Sequence, residues 1–363
     1  MSSEVKGQEK EKKVPAVPKP SSSVLLISPQ NQILLLHRVR TSSAFPSAHV
    51  FPGGNLSAHH DGPIPPPDSP QRHLDSDVYR LGAIRETFEE SGILLARNGG
   101  FGRLIEVPDE EREEGRRLVH EGGVEFGKWL AGKGGRADVD GLIPFTRWIT
   151  PPNIPKRFTT QMYIYFLPLQ GGPHTDSSSS SPLGAATNED TEVVIPVPTH
   201  DGGLEHTAAR FLPPATWLRL AREGRIILFP PQFFLLHLIA PFLSPDPHAK
   251  AGSPLPPRDV LQRQRKELME FVRAPDPSGV GWAEKCISPA PVARRDGRRR
   301  EDGRQILGLN RPGLGLEESG RVGERERVVL VEFGKGGPRR VDVAWREEVL
   351  GEVGEGERAM GKL

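Results

Sequence analysis

The sequence holds a single cysteine, Cys286, four methionines and three tyrosines, and aromatic residues make up only 6% of its 363 positions. One cysteine excludes an intrachain disulfide framework and a cysteine-rich zinc site, and it fits a reducing compartment. Net charge is missing as well: 48 Lys and Arg face 47 Asp and Glu, a formal +1. No bulk field draws the chain to nucleic acid or to an anionic membrane. Long apolar runs are absent too. The most apolar stretch, residues 226–243, is interrupted by Pro230, Pro231, His237 and Pro241, which excludes one membrane-spanning helix. Residues 1–20 mix Lys with Glu, without arginine or an apolar stretch, unlike a secretory signal or a mitochondrial transit peptide. A soluble intracellular protein is expected.

What the chain has in excess is turn-forming residues. Its 40 Gly and 37 Pro are about a fifth of the sequence, against ~12% in average usage. Hydrophobic residues reach only 36%, yet they are clustered, so one sizeable core with long insertions or tails is expected. Residues 1–20 read as a disordered tail. Residues 24–28 and 33–38 read as two strands joined by a tight turn at 29–32, with a short third strand over 48–51. Residues 77–90 read as a helix stopped by Ser91-Gly92, and 109–130 as one further helical stretch. Residues 148–150 and 161–167 are β-prone, 175–189 form a Ser-rich linker, and 214–223 and 231–243 are helical. Beyond Ser244 the texture turns Pro-, Gly- and Arg-rich with isolated strands at 328–332 and 341–345. That third reads as a loosely built extension wrapping the core.

One helix stands out. Leu81, Ile84 and Phe88 make an apolar stripe, while Glu86, Glu89 and Glu90 fall at i, i+3 and i+4 and converge on another side. Grouped like charges repel, so the helix gains nothing structurally from them. Hard divalent cations take oxygen ligands, and this cluster offers three from one rigid element. Arg85 can reach Glu89 at i+4 and hold it in place. The ordinary alternative is a solvated acidic face.

Residues 85–93, Arg-Glu-Thr-Phe-Glu-Glu-Ser-Gly-Ile, resemble the second half of the Nudix box, with Thr87 in a slot that is normally apolar. The Phe51-Pro52-Gly53-Gly54 turn before them is also similar to that family, and Asp77 stands where it has Glu. The spacing between Gly54 and Asp77 is far longer than the family's, so a Pro-rich insertion lies inside the box. The turn, the insertion and the segment Trp148-Ile149-Thr150-Pro151-Pro152 followed by Lys156-Arg157-Phe158-Thr159-Thr160 look like the peroxisomal and mitochondrial coenzyme A diphosphatase branch. The ending Gly361-Lys362-Leu363 is similar to a Ser-Lys-Leu peroxisomal address, which implies an import receptor as partner.

The resemblance implies an α/β fold, the Nudix α/β/α sandwich around a mixed sheet, spanning residues 21–243 with insertions at 55–76 and 170–190 and the extension at 244–363. It implies a Mg²⁺- or Mn²⁺-dependent hydrolase that cleaves a diphosphate by water attack on phosphorus. Coenzyme A or acyl-CoA is the implied substrate; the alternatives are another nucleoside diphosphate derivative such as NADH or ADP-ribose, or a non-catalytic binding protein. Implied metal ligands are Glu86, Glu89, Glu90 and the Gly53 carbonyl, with Glu86 a candidate base and Arg85 a support. Glu205 is a candidate downstream acid. Arg38, Arg40 and Arg157 are candidates for substrate phosphates. The basic run at 294–300 is interleaved with acids and lacks aromatics, so it is assigned no nucleic-acid role. Neither the 11 histidines nor Cys286 is assigned one.

Overall fold

A computed structural model describes residues 14–39, 47–99, 103–169, 206–243 and 256–351. The centre is an eight-stranded mixed sheet. Its path runs Cys286–Ile287, Ile143–Ile149, Phe158–Phe166, Lys19–Ile27, Ile33–Arg38 and His49–Val50. Gly53–Asn55 pairs with the Lys19–Ile27 strand and His206–Leu212 with the Ile33–Arg38 strand. Two pairings are parallel, Lys19–Ile27 with Phe158–Phe166 and Cys286–Ile287 with Ile143–Ile149; the others are antiparallel.

The expected hairpin at 24–38 is present. Ile27 faces Ile33 across a turn in which the Ser28 amide donates to the Gln32 carbonyl at 2.8 Å. The strands of this hairpin are apolar at nearly every position because both faces of the sheet are covered. Val24, Leu26, Leu34 and Leu36 enter one core with Ile84 and Phe88 of the Asp77–Ser91 helix. Leu25, Ile27, Ile33 and Leu35 enter the other, with Trp217 of the Pro214–Arg222 helix and Phe233 and Phe234 of the Pro230–Leu243 helix. Successive side chains alternate between faces, so helices layer both sides and the α/β sandwich expected from the sequence is the architecture. Among the described residues no helix is long and apolar enough to cross a membrane.

The acidic helix spans Asp77–Ser91 and ends at Gly92, whose amide donates to the Phe88 carbonyl at 2.8 Å. Its buried side includes Val78, Tyr79, Ala83, Ile84 and Phe88, while Leu81 is only half-buried. The single helix expected over 109–130 is two, Asp109–His120 and Phe126–Gly132. Gly122, at φ 73°, and Gly123 break it, and the chain restarts with its Phe126, Trp129 and Leu130 turned into the core.

A disordered tail is expected through residue 20, but Lys19 and Pro20 belong to the first strand; residues 1–13 lie outside the described residues. The C-terminal third also differs from the expected loose extension. An Arg258–Arg273 helix docks through Leu261, Leu268 and Val272, and its Arg265 donates to the Ser28 and Leu167 carbonyls and to Asn31 Oδ1, each at 2.8 Å. Four antiparallel strands follow, Ala290–Pro291, Gln305–Gly308, Arg327–Gly334 and Gly337–Trp345. Val329, Val331 and Val341 pack in the same core as Leu25 and Phe234. The strands read as isolated at 328–332 and 341–345 are neighbours in this second sheet, so each buries what the other exposes. The Ser-rich linker and the 361–363 tripeptide lie outside the described residues.

Candidate active site

The Gly53-Gly54 turn lies directly against the acidic helix. Gly53 has φ 153°, and a Cβ there would come within 2.3 Å of the Ser22 carbonyl oxygen. A Cβ on Gly54 would fall 2.4 Å from Glu86 Oε2. Two glycines in a row let backbone and carboxylate approach closely. The Gly53 amide donates to Glu90 Oε2 at 2.7 Å, a charge-assisted bond that fixes the third glutamate.

Arg85 organises the rest. It is 3% exposed, and Nη1 reaches Glu86 Oε1 at 2.9 Å and Glu89 Oε1 at 2.8 Å. Nε and Nη2 each donate to Asp61 at 2.9 Å, a bidentate pair, and Nη2 also reaches the Asn55 carbonyl. Glu89 is held from a second side: His120 Nδ1 lies 3.1 Å from its Oε2, and Arg116 Nε and Nη2 donate to its backbone carbonyl. Thr87, in the normally apolar slot, is fully buried because its hydroxyl donates back to the Ala83 carbonyl at 2.8 Å. That bond removes the cost of an unpaired buried hydroxyl.

Asp61, Glu86 and Glu89 thus crowd around one guanidinium. The Glu86 carboxyl is pushed up to about 7, first by burial and then by Glu89 and Asp61, with Arg85 pulling the other way. The Arg85 guanidinium is held above its ordinary value; its burial opposes this, and Glu86, Asp61 and Glu89 outweigh it. Among the described residues no three His, Cys, Asp or Glu side chains are already drawn to one point as metal ligands, and Arg85 fills the space between Glu86 and Glu89. The donor chemistry nonetheless fits a hard divalent cation: oxygen only, carboxylate-rich, and short of positive charge.

The sequence candidates fall into three groups. Glu86, Glu89, Glu90, Arg85 and Gly53 come together. Arg38 ends its strand half-buried, with its amide on the Ala48 carbonyl at 2.9 Å. Arg157 is committed elsewhere: it is 4% exposed, and Nε and Nη1 donate to the Thr150 and Ala16 carbonyls. It staples the chain entry to the sheet instead of presenting a charge to a ligand. Arg40 and Glu205 lie outside the described residues. Asp77 stands in the first helical turn, roughly 12 Å of helix rise from Arg85, where an acid suits the positive end of the helix dipole.

Asp61, Arg116 and His120 belong to this site and were not among the sequence candidates. Asp61 lies in the inserted loop, which has no periodicity. Leu56 and Arg72 of the same insertion are also buried, so the loop is anchored at these points. The one available signal was a lone acid beside His59 and His60 close after the glycine turn.

No family model matches the chain. Curated proteins do. Putative nudix hydrolase 7 of Caenorhabditis elegans is 30% identical over 144 residues, 40% of this chain and 42% of that protein. Acyl-coenzyme A diphosphatase NUDT19 of Gallus gallus is 30% identical over 194 residues, 41% of this chain and 51% of that protein. The protein of the same name from Xenopus laevis is 26% identical over 254 residues, 58% of this chain and 60% of that one. The chain spans about half the length of the curated relatives it matches. Among solved structures, a NUDIX hydrolase from Alicyclobacillus acidocaldarius aligns with a TM-score of 0.44 at 20% identity, over 61% of this chain and 90% of that one. The resemblance read from the box is therefore shared with curated proteins that bear the Nudix name.

Proposed function

We propose that this chain is a hydrolase that cleaves a diphosphate linkage by water attack on phosphorus, at the site formed by Gly53, Gly54 and the acidic helix. The observation that carries the reading is the surplus of buried negative charge: three carboxylates, Asp61, Glu86 and Glu89, share one guanidinium, and Glu90 stands beside them on the Gly53 amide. A fold that needed only an ion pair would stop at one or two acids. Glu86, Glu89 and Glu90 would hold Mg²⁺ or Mn²⁺, which when bound neutralises phosphate charge and lowers the pKa of water. Arg85 orients Glu86 and Glu89, His120 steadies Glu89 from the far side, and the Gly53 amide orients Glu90. Glu86, 16% exposed and against the glycine turn, is the candidate to take the proton from the attacking water.

The substrate we propose is coenzyme A or an acyl-CoA, giving adenosine 3′,5′-bisphosphate and the (acyl-)phosphopantetheine. Two relatives named acyl-coenzyme A diphosphatase support this, as does the long insertion inside the box. Arg38 and Arg40 are proposed to meet substrate phosphates, and Glu205 to complete the acid set. The test is turnover of coenzyme A, NADH and ADP-ribose by purified protein with Mg²⁺ or Mn²⁺, beside Glu89→Gln and Glu90→Gln. Coenzyme A turnover falling roughly 10²-fold or more in both variants is expected. Turnover indifferent to both substitutions sinks the site. Turnover of NADH or ADP-ribose alone sinks only the substrate.

A further inference from the structure

The face of the sheet that turns away from the glutamates carries a cavity of about 310 Å³ that the proposed hydrolysis does not use. Among its lining residues Leu35 and Trp217 are buried, Arg210 and Arg225 are exposed, and His37 and His49 complete the set. Leu35 and Leu36 are adjacent in one strand and enter opposite cores, which places this cavity and the acidic helix on opposite faces. The inner surface is apolar. Trp217 is 2% exposed, and its indole N–H already donates to the Ile33 carbonyl at 2.9 Å, so only its ring faces outward.

The charge on the lining has one sign. Among the described residues no carboxylate lines the cavity. Arg210 is exposed, and Arg225 keeps only a loose 3.8 Å contact with Glu223 outside it. The His37 and His49 rings stack at 4.7 Å. Burial, then His37, then Arg210 push His49 down to about 4. Its Nδ1 is buried without a hydrogen-bond partner among the described residues, an arrangement that costs free energy when left empty. Two exposed guanidiniums over an apolar floor concentrate anions, and the volume is at the small end of ligand sites.

We propose that this cavity binds a small organic anion, its compact apolar body seated on Leu35 and Trp217 and its carboxylate or phosphate between Arg210 and Arg225. The test titrates the full chain by calorimetry with benzoate, phenyl phosphate and neutral benzyl alcohol. Saturable binding of at least one anion is expected, with benzyl alcohol about tenfold weaker or worse, a difference of ~1.4 kcal/mol. The ratio of benzoate to phenyl phosphate affinity assigns the head group. Arg210→Gln with Arg225→Gln, both at exposed positions and so without effect on folding, weakens the anions about tenfold or more and leaves benzyl alcohol unchanged. Leu220→Trp, which fills the cavity, abolishes binding in protein whose circular dichroism is unaltered. Glu89→Gln leaves binding intact, which separates this site from the proposed hydrolytic one. Equal affinity for benzyl alcohol, an indifferent arginine double variant, no saturable binding at millimolar concentration, or loss confined to Glu89→Gln would each overturn the assignment.

Discussion

Two buried cations in this molecule have opposite surroundings. Lys285, 1% exposed, lies between Asp276 at 2.8 Å and Glu324 at 2.6 Å, with its ammonium 4.4 Å from the centre of the Trp282 ring. The acids there have donors of their own. Asp276 accepts from the Ser278 amide and hydroxyl and from the Val280 amide, and Glu324 also accepts from Arg327. Burial works against the Asp276 carboxylate, but Lys285, Ser278 and Val280 hold it well below the usual range. At Arg85 three carboxylates share one guanidinium, and the Glu86 carboxyl rises to about 7. A balanced knot ties strands together. An acid-heavy one has capacity for a further cation, and the proposed function rests on that imbalance.

The largest test removes each cation. Arg85→Met and Lys285→Met should each cost about 3–5 kcal/mol, since buried carboxylates lose their partner, measured by denaturant unfolding in chelator. Millimolar Mn²⁺ should then restore part of the Arg85→Met loss and none of the Lys285→Met loss. Equal rescue, or none at either, removes the distinction between the two clusters.

A sharper test neutralises an acid instead. Glu324→Gln takes charge from a balanced cluster and should destabilise by ~1–3 kcal/mol. Glu86→Gln relieves repulsion in the crowded cluster and should stabilise metal-free protein at pH 8 by about 1 kcal/mol, while turnover is lost. Thermal melts read both, and the informative result is the opposite sign.

Much of the proposed site was legible in sequence because it is local. Glu86, Glu89, Glu90 and Arg85 lie within one and a half turns of a helix whose boundaries the periodicity and Gly92 declare, and the glycine turn announces itself. What the sequence hid is what distant segments contribute. Asp61 comes from a loop without periodicity, and it is buried with Arg85 and the Ser57 amide on its carboxylate. His120 meets Glu89 because the Asp109–His120 helix packs on the acidic one, with Arg116 on the Glu89 carbonyl, a contact that no tally over 109–130 reveals. The C-terminal third looked loose for a related reason. Its strands at 327–334 and 337–345 are interrupted by charge, and the partners that account for it, such as Glu324 for both Arg327 and the distant Lys285, show only in the fold. Arg157 misled in the opposite direction: a basic residue beside a strand suggests a ligand, yet it is buried with Nε and Nη1 on the Thr150 and Ala16 carbonyls.

The smallest effect expected is the pH dependence of stability, and it too should separate the two clusters. Between its unfolded value of 4.5 and its folded value of about 7, the Glu86 carboxyl binds more protons in the folded state than in the unfolded one. Stability from this group is therefore fully present below that window and declines as pH rises through it. Asp276 has the reverse sign. Its folded value lies below the unfolded 3.8, so its contribution is present above that value and is lost as pH falls beneath it. In metal-free protein, Glu86→Gln should therefore flatten the decline in melting temperature between pH 5 and 8 while leaving the acid limb below pH 4 unchanged. Asp276→Asn should do the converse. Because other groups titrate in both windows, the difference between each variant and the parent carries the information. A Glu86→Gln difference curve without slope between pH 5 and 8 would mean that Arg85 already compensates its acids, and that the two clusters are alike.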